Sequence, residues 1–127
     1  MMDEFKKSTI LAYLQAYNSF DIDGMIKLLH AEIVFKNIAA GEVNTQTTGR
    51  KEFRQLAEQS KALFTSRQQV PSNFSFTGDQ ANIDIAYQGV LAVDLPNGLK
   101  SGETLKLGGR SEFTFKDGLL IAISDYS

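Results

Sequence analysis

Apolar and polar residues alternate along the C-terminal part of the chain. A period of two predicts two β-strands, over 105–115 and 119–125, joined by a turn at 116–118. Within the alternation, Ser111 and Asp125 are each the polar member of an otherwise apolar face. The faces that contain them are Leu105, Leu107, Ser111, Phe113 and Phe115 on the first strand, and Leu119, Ile121, Ile123 and Asp125 on the second. This pattern predicts an apolar pocket with a polar floor.

Apolar residues in the first half of the chain instead recur every three or four positions. This period predicts three helices, over 3–19, 21–30 and 50–65. Residues 32–37 alternate and predict a short strand between the second and third helices. Residues 39–49 are rich in Gly, Asn and Thr and predict a loop.

The remaining strands are predicted over 68–77 and 81–94. Val70-Pro71 interrupts the first of them, which favours an edge strand or a bulge at that point. Gly108-Gly109 predicts a second bulge that bends the sheet, because no helix follows these glycines to make a phosphate-binding loop. Helices on one face of a mostly antiparallel sheet make an α+β fold, and we expect a single domain over residues 1–127.

Composition narrows the functional classes. The chain has 127 residues, a net charge of −2, no cysteine and a single histidine. Nucleic acid is excluded as an expected partner because no concentrated basic face is present. The absence of Cys and of paired His residues argues against a metal site, and we expect no cofactor. With neither a long apolar run nor a signal-peptide core, we expect no membrane association and a cytoplasmic location.

The outer face of the late strands is also partly apolar. Val90, Ala92, Leu120 and Ala122 are predicted to point away from the helices. A second apolar face on a small domain usually requires a partner, so we expect a homodimer through the outer sheet face.

Several short motifs follow one another over the whole chain: Tyr13-x-x-x-Tyr17-Asn18-x-x-Asp21-x-Asp23-Gly24, Leu28-Leu29, Gly49-x-x-x-Phe53, Tyr87-Gln88-Gly89, Phe113-x-Phe115-x-Asp117-Gly118 and Ile123-Ser124-Asp125-Tyr126. In order and spacing they resemble the nuclear transport factor 2-like superfamily, which includes ketosteroid isomerases and SnoaL-like polyketide cyclases. The resemblance implies a cone-shaped, cystatin-like α+β barrel in which a curved sheet wraps around three helices. It implies no single reaction, because such folds host many functions.

The resemblance to ketosteroid isomerases also assigns positions. Tyr13 falls where those enzymes keep an oxyanion-stabilising tyrosine, Asn37 where they keep the general-base aspartate, and Ser111 where they keep a protonated aspartate. Asn37 cannot take a proton from carbon, so the ketosteroid isomerase mechanism is not supported. Asp125-Tyr126 is similar to an Asp-Tyr pair near the end of the last strand of limonene epoxide hydrolases.

Alternation places polar and apolar candidates on one concave face of the sheet, beneath the first helix. We predict that Asp125, Tyr13 and Asn37 are catalytic. The predicted ligand-binding residues are Tyr17, Phe35, Phe53, Phe64, Tyr87, Ser111, Phe113 and Ile123. The expected ligand is a small apolar molecule with one or two oxygen functions.

Three functions fit this pattern. The first is a cofactor-independent isomerase, cyclase or hydratase in which Asp125 moves a proton, Tyr13 stabilises an oxyanion and Asn37 orients a carbonyl or a water. The second is a non-catalytic module that binds an apolar metabolite. The third is a dimeric interaction domain whose own side chains fill the pocket. A decisive point is whether Asp125 faces the pocket or, near the end of the chain, faces water.

Overall fold

The computed structural model of the protein describes residues 2–127. The helices are α1 (Asp3–Asn18), α2 (Ile22–Ile26) and α3 (Gly49–Lys61). The strands are β1 (Leu29–Ala39), β2 (Glu42–Thr48), β3 (Phe64–Thr77), β4 (Gln80–Leu91), β5 (Thr104–Lys116) and β6 (Leu119–Tyr126). They form one six-stranded sheet in the order β2-β1-β6-β5-β4-β3. The α+β fold is confirmed, although the sheet remains open, with β2 and β3 at its two edges.

Almost every strand pair in the sheet is antiparallel. Within residues 2–127 only β1 and β6 run parallel, and they are second and third in the strand order. Helix α1 buries Ile10, Tyr13 and Leu14 against the sheet, and α3 buries Phe53 and Ala57. The core therefore lies between the concave face of the sheet and these two helices. Among residues 2–127, no helix has both the length and the apolar character needed to cross a membrane.

The second helix is shorter than its hydrophobic pattern predicts. The carboxylate of Asp21 accepts a hydrogen bond from the Gly24 backbone nitrogen at 2.9 Å, which fixes the start of α2. The helix ends at Ile26 rather than at residue 30, because the chain is already extended at Leu29. Leu29 is fully buried, so it fits the inner face of a strand as well as it fits a helix. The expectation that His30 ends a helix is therefore wrong.

The predicted loop over 39–49 is also wrong, because most of it forms β2. Ala40 and Gly41 both have positive φ angles, 53° and 79°, and Ala39 pairs with Glu42. Two consecutive residues with positive φ make the two-residue turn that matches the twist of a β-hairpin. The Thr residues that suggested a loop favour an extended strand equally well.

Strand β3 runs without interruption through Val70-Pro71. Because β3 is an edge strand and pairs only with β4, the missing N–H of Pro71 does not interrupt a second ladder. The edge position predicted from Pro71 is thus confirmed. The irregularity of β3 lies instead between Ser72 and Ser75, where Asn73 has a φ of 53°.

Strand β6 contains a bulge that the simple alternation could not show. Phe115 pairs with Leu120 but Thr114 pairs with Ala122, so Ile121 is an extra residue in β6. The bulge turns Leu120 into the core, where it is fully buried. The expectation that Leu120 lies on the outer face is therefore wrong. Beyond the bulge the alternation resumes, and it places Ile123 in the core.

Gly108 and Gly109 form no bulge. Both pair in regular register with β4, opposite Ala86 and Ile85. Gly109 is needed for another reason: a Cβ atom at this position would overlap the backbone carbonyl oxygen of Tyr126, whereas a Cβ on Gly108 would meet nothing within 4 Å. Gly109 thus permits the end of β6 to lie close to β5.

This contrast gives a matched pair of variants. Gly109→Ala should lower the free energy of unfolding by about 1–3 kcal/mol, because the new methyl group has to displace backbone rather than a flexible side chain. Gly108→Ala should change it by less than about 0.5 kcal/mol. Urea unfolding monitored by circular dichroism measures both. Equal stability of the two variants would contradict the close packing assigned to Gly109.

Candidate functional site

A cavity of about 340 Å³ opens between the concave face of the sheet and helices α1 and α3. Cavities of this size are typical of small-molecule sites. Every strand and both long helices contribute to its wall. The lining residues are Tyr17, Phe35, Asn37, Thr45, Leu56, Ser60, Phe64, Gln69, Ile85, Tyr87, Leu105, Leu107, Gly108, Gly109, Arg110, Ser111, Asp125, Tyr126 and Ser127.

The carboxyl group of Asp125 lies in the wall of this cavity. Asp125 pairs with Ser111 on β5, and the Ser111 hydroxyl donates a hydrogen bond of 2.6 Å to one carboxylate oxygen. Burial raises the pKa of Asp125 from its ordinary value of 3.8 to about 6, and the hydrogen bond from Ser111 lowers it only in part. The side chain is thus a carboxyl group that exchanges its proton near neutral pH.

Asn37 lies next to Asp125 because β1 and β6 are parallel and in register at these residues. Its side-chain amide donates a hydrogen bond of 3.0 Å to the Asn44 side chain. Asn37 is half-buried and also lines the cavity. The predicted neighbourhood of Asn37, Ser111 and Asp125 is therefore present, with the amide and the carboxyl on adjacent strands.

A second polar group in the cavity wall consists of two tyrosines. The hydroxyls of Tyr17, on α1, and Tyr87, on β4, share a hydrogen bond of 2.9 Å. Their rings meet edge to face, and Phe64 packs against Tyr87 in the same manner. Burial raises the pKa of both phenols, so both are protonated hydrogen-bond donors at neutral pH.

Behind the tyrosine pair lies Arg67, which the sequence analysis missed. Its side chain is only 5% exposed. The guanidinium carbon lies 3.7 Å from the Tyr17 ring centre and 4.6 Å from that of Phe20, and Nε donates to the Tyr17 carbonyl at 2.9 Å. The Nη1 and Nη2 atoms have no hydrogen-bond partner within residues 2–127. Both faces of residues 64–69 contain polar side chains, so alternation gave no indication that Arg67 points inward.

Four predicted site residues do not line the cavity. Tyr13, Phe53, Phe113 and Ile123 are all buried in the hydrophobic core. The Tyr13 ring packs against Phe53 and Phe113 with centroids 6.5 and 6.1 Å away. Tyr13 nonetheless lies within electrostatic range of Asp125, because burial first and then the Asp125 carboxylate raise its pKa. Tyr13 therefore interacts electrostatically with the Asp125 carboxyl without forming part of the cavity wall.

The other predicted ligand-binding residues do line the cavity: Tyr17, Phe35, Phe64, Tyr87 and Ser111. Sequence reasoning missed Thr45 because its strand was predicted as a loop. It did not assign Leu56 and Ser60 to the site, although their four-residue spacing places them on one face of the third helix. Within residues 2–127, no group of three or more His, Cys, Asp or Glu side chains could hold a metal ion.

The cavity combines an apolar wall with two polar ends. Ser111, opposite Asp125, and Leu107, opposite Tyr87, are four residues apart on β5, which corresponds to about 13 Å along a strand. A carboxyl group thus lies towards one end, and a pair of phenols towards the other. Such a site can bind an elongated apolar molecule and exchange a proton with it at one end.

Comparisons with known proteins support this architecture. A putative polyketide cyclase from Xanthomonas campestris pv. campestris superposes with a TM-score of 0.79 and 20% identity, covering 98% of this chain and 90% of the other. A putative SnoaL-like polyketide cyclase from Jannaschia sp. gives a TM-score of 0.80 and 14% identity over 96% of this chain and 84% of the other. At these identities the likeness shows the fold alone.

A third similar structure is a hypothetical protein with a ketosteroid isomerase-like fold from Catenulispora acidiphila, in complex with trimethylamine. Its TM-score is 0.78, its identity 15%, and the coverage is 94% of this chain and 84% of the other. A search of curated proteins gives no significant match. The sequence profile of the SnoaL-like domain matches residues 10–123. The chain therefore belongs to the SnoaL-like domain family.

Proposed function

We propose that this protein is a cofactor-independent enzyme of the cyclase or isomerase kind that acts on a small, elongated, apolar molecule bearing oxygen functions. The observation that carries the proposal is the Asp125 carboxyl in the cavity wall, with burial raising its pKa to about 6. A carboxyl group with a pKa near the working pH can both remove and return a proton. Cyclisations and isomerisations that proceed through an enol or enolate require this pair of steps.

The residues next to Asp125 have complementary roles in this proposal. The Asn37 amide orients a substrate carbonyl or a water beside the carboxyl, since the two residues are neighbours on paired strands. Ser111 fixes the orientation of the carboxyl through its 2.6 Å hydrogen bond. The oxyanion role of Tyr13 stays a prediction. This prediction rests on the electrostatic interaction between the Tyr13 phenol and Asp125. In the proposed reaction, a substrate oxygen near Asp125 would gain negative charge, which a phenol donor would stabilise.

A second candidate function is non-catalytic binding of an apolar metabolite. Two observations favour it: Asn37 cannot act as a base, and the Tyr13 ring does not line the cavity. Both candidates use the same cavity. They differ in whether loss of the Asp125 carboxyl removes a reaction or changes only an affinity.

The expected homodimer through the outer sheet face belongs to the same proposal. The outer sheet face is less apolar than the sequence indicated, because the β6 bulge turns Leu120 into the core. Val70 and Val43 are large apolar side chains that stay about half exposed. These residues are the natural contacts of a second copy, and sedimentation velocity would establish the oligomeric state.

Proton abstraction by Asp125 can be tested with 5-nitrobenzisoxazole, a flat and largely apolar probe. A base removes its ring C–H proton, the N–O bond breaks, and a coloured cyanonitrophenolate is released. The rate should rise with pH to a plateau with a midpoint near pH 6, because only the carboxylate form of Asp125 acts as a base. Asp125→Asn should lower the rate about 100-fold, as measured by absorbance.

The matched variant is Ser111→Ala. Loss of its hydrogen bond to the carboxylate should raise the pKa of Asp125 further, so the midpoint of the rate profile should move to higher pH. Equal rates for wild type and Asp125→Asn would rule out the base role. Binding of the probe without Asp125-dependent turnover would favour the binding module.

The raised pKa of Asp125 also affects stability. Between pH 4 and 6 the folded protein holds this proton more tightly than the unfolded chain does, so the contribution of Asp125 to stability falls as pH rises through this window. Asp125→Asn should therefore gain about 1–3 kcal/mol relative to wild type on going from pH 3.5 to pH 8. Urea unfolding at both pH values measures the change. A difference that does not vary with pH would mean that the Asp125 carboxyl is not destabilised by burial.

A further inference from the structure

The hydrogen bond between Tyr17 and Tyr87 leaves one phenolic proton unused. Each hydroxyl has one proton to donate, and only one of the two protons can lie between the oxygens. Both side chains line the cavity. The remaining proton is therefore available for an acceptor inside the cavity. In a small-molecule site, this acceptor is an oxygen atom of the bound ligand.

The charge behind this pair is positive and is not neutralised by the protein. No Asp or Glu of residues 2–127 forms an ion pair with Arg67, and a buried cation without an anion is costly. The guanidinium stacks on the Tyr17 ring at 3.7 Å, so its charge acts on the hydroxyl pair over a short path through the core. Arg67 lowers the pKa of both phenols against the larger effect of burial.

A purely structural role for Arg67 explains only some of its features. The Nε atom of Arg67 ties the end of α1 to β3 through the Tyr17 carbonyl, and the stacking on Tyr17 and Phe20 fills space. Neither contact uses Nη1 or Nη2, which are buried without a partner. A neutral side chain could fill the same space at lower cost. Arg67 does not line the cavity, so its unused donors do not reach a ligand there, but its positive charge acts across the Tyr17 ring and favours an anionic partner for the hydroxyl pair.

We propose that the Tyr17–Tyr87 hydroxyl pair, supported by the Arg67 guanidinium, is the subsite at which the cavity binds an anionic oxygen of its ligand, such as a carboxylate, an enolate or a phenolate. Hydrogen bonds to charged acceptors are stronger than those between neutral groups, and low exposure strengthens them further. Along β5, the residue that pairs with Tyr87 lies about 13 Å from the residue that pairs with Asp125, although the Asp125 carboxylate still contributes to the raised pKa of Tyr17.

This subsite deepens the proposed function, on which it rests for the premise that the cavity binds a small molecule. The subsite adds two features to the proposed function: the ligand has one anionic end, and it binds in one orientation. The anionic oxygen faces the tyrosine pair, and the apolar body extends towards Asp125. At a pH above 6 the Asp125 carboxylate repels a second anion, which favours this single orientation.

The test uses two probes of nearly equal shape, 2-naphthoate and 2-naphthylmethanol, at pH 7.5. Wild type should bind the carboxylate at least about tenfold more tightly than the alcohol in isothermal titration calorimetry, which corresponds to about 1.4 kcal/mol. Tyr87→Phe should reduce this preference to about threefold or less, because only the Tyr17 hydroxyl then remains and no second hydroxyl orients or polarises it. Arg67→Gln should abolish the preference, because it removes the positive charge.

Arg54→Gln is the matched control. Arg54 is 44% exposed, lies 2.8 Å from Asp23 and does not line the cavity. Its charge is solvated and paired, so Arg54→Gln should leave the carboxylate preference within twofold of wild type. If Arg67→Gln does not fold, Tyr87→Phe alone carries the test, since it keeps the ring and its packing.

The position at which the probe binds is measured independently, by labelling the ring carbons of the four tyrosines with ¹³C. On addition of 2-naphthoate the NMR signals of Tyr17 and Tyr87 should shift more than those of Tyr13. Equal affinity of wild type for the two probes, or an unchanged preference in Tyr87→Phe, overturns the anionic subsite while leaving the cavity as a binding site. Absence of binding by both probes overturns the proposed function as well.

Discussion

Two ionisable groups, Asp125 and Arg67, lie in or beside the cavity, and no opposite charge neutralises either of them. Asp125 lies in the cavity wall and accepts a hydrogen bond from the Ser111 hydroxyl, and Arg67 lies behind Tyr17, where it contacts a backbone carbonyl and two aromatic rings. Among residues 2–127 neither takes part in an ion pair. Burial of unpaired charge is unfavourable, so the rest of the fold has to hold these groups in place. The raised pKa of Asp125 is the direct result of this constraint.

The stability that offsets this cost comes from the core beside the cavity. Tyr13, Phe53 and Phe113 form a cluster of aromatic rings beneath α1 and α3. The cluster fills one part of the space between helices and sheet, and the cavity occupies another. A well-packed core next to a partly empty pocket lets the protein keep polar groups in poorly solvated positions without losing its fold. In this arrangement Tyr13 belongs to the core, although the Asp125 carboxylate still acts on it electrostatically.

The two ends of the cavity also differ in their chemistry. The carboxyl at one end exchanges protons near neutral pH, whereas the phenols at the other remain protonated because burial raises the pKa of both. One end can therefore change its charge during a reaction, and the other offers fixed hydrogen-bond donors. This division of roles suits the proposed cyclase or isomerase of an apolar molecule with one or two oxygen functions, and a binding module would use the same asymmetry to orient its ligand.

Local chemistry in the sequence determined much of the fold. The alternation of β5 and β4 and the Asp21 cap of α2 were readable because each depends on neighbouring residues alone. The association of Asn37, Ser111 and Asp125 on one concave face followed from the same alternation. The family resemblance supplied the arrangement of a curved sheet around three helices, which alternation alone does not give.

Tertiary structure decided the rest. The bulge at Ile121 shifts the alternation of β6, and it is set by pairing with β5 rather than by any residue of β6 itself. Thr45 and the other residues of β2 are extended because β1 offers them an edge to pair with. Arg67 points inward because β3 lies under the end of α1, where two aromatic rings and a carbonyl receive it. Each of these outcomes depends on contacts between residues distant in sequence, which no local pattern of residues records.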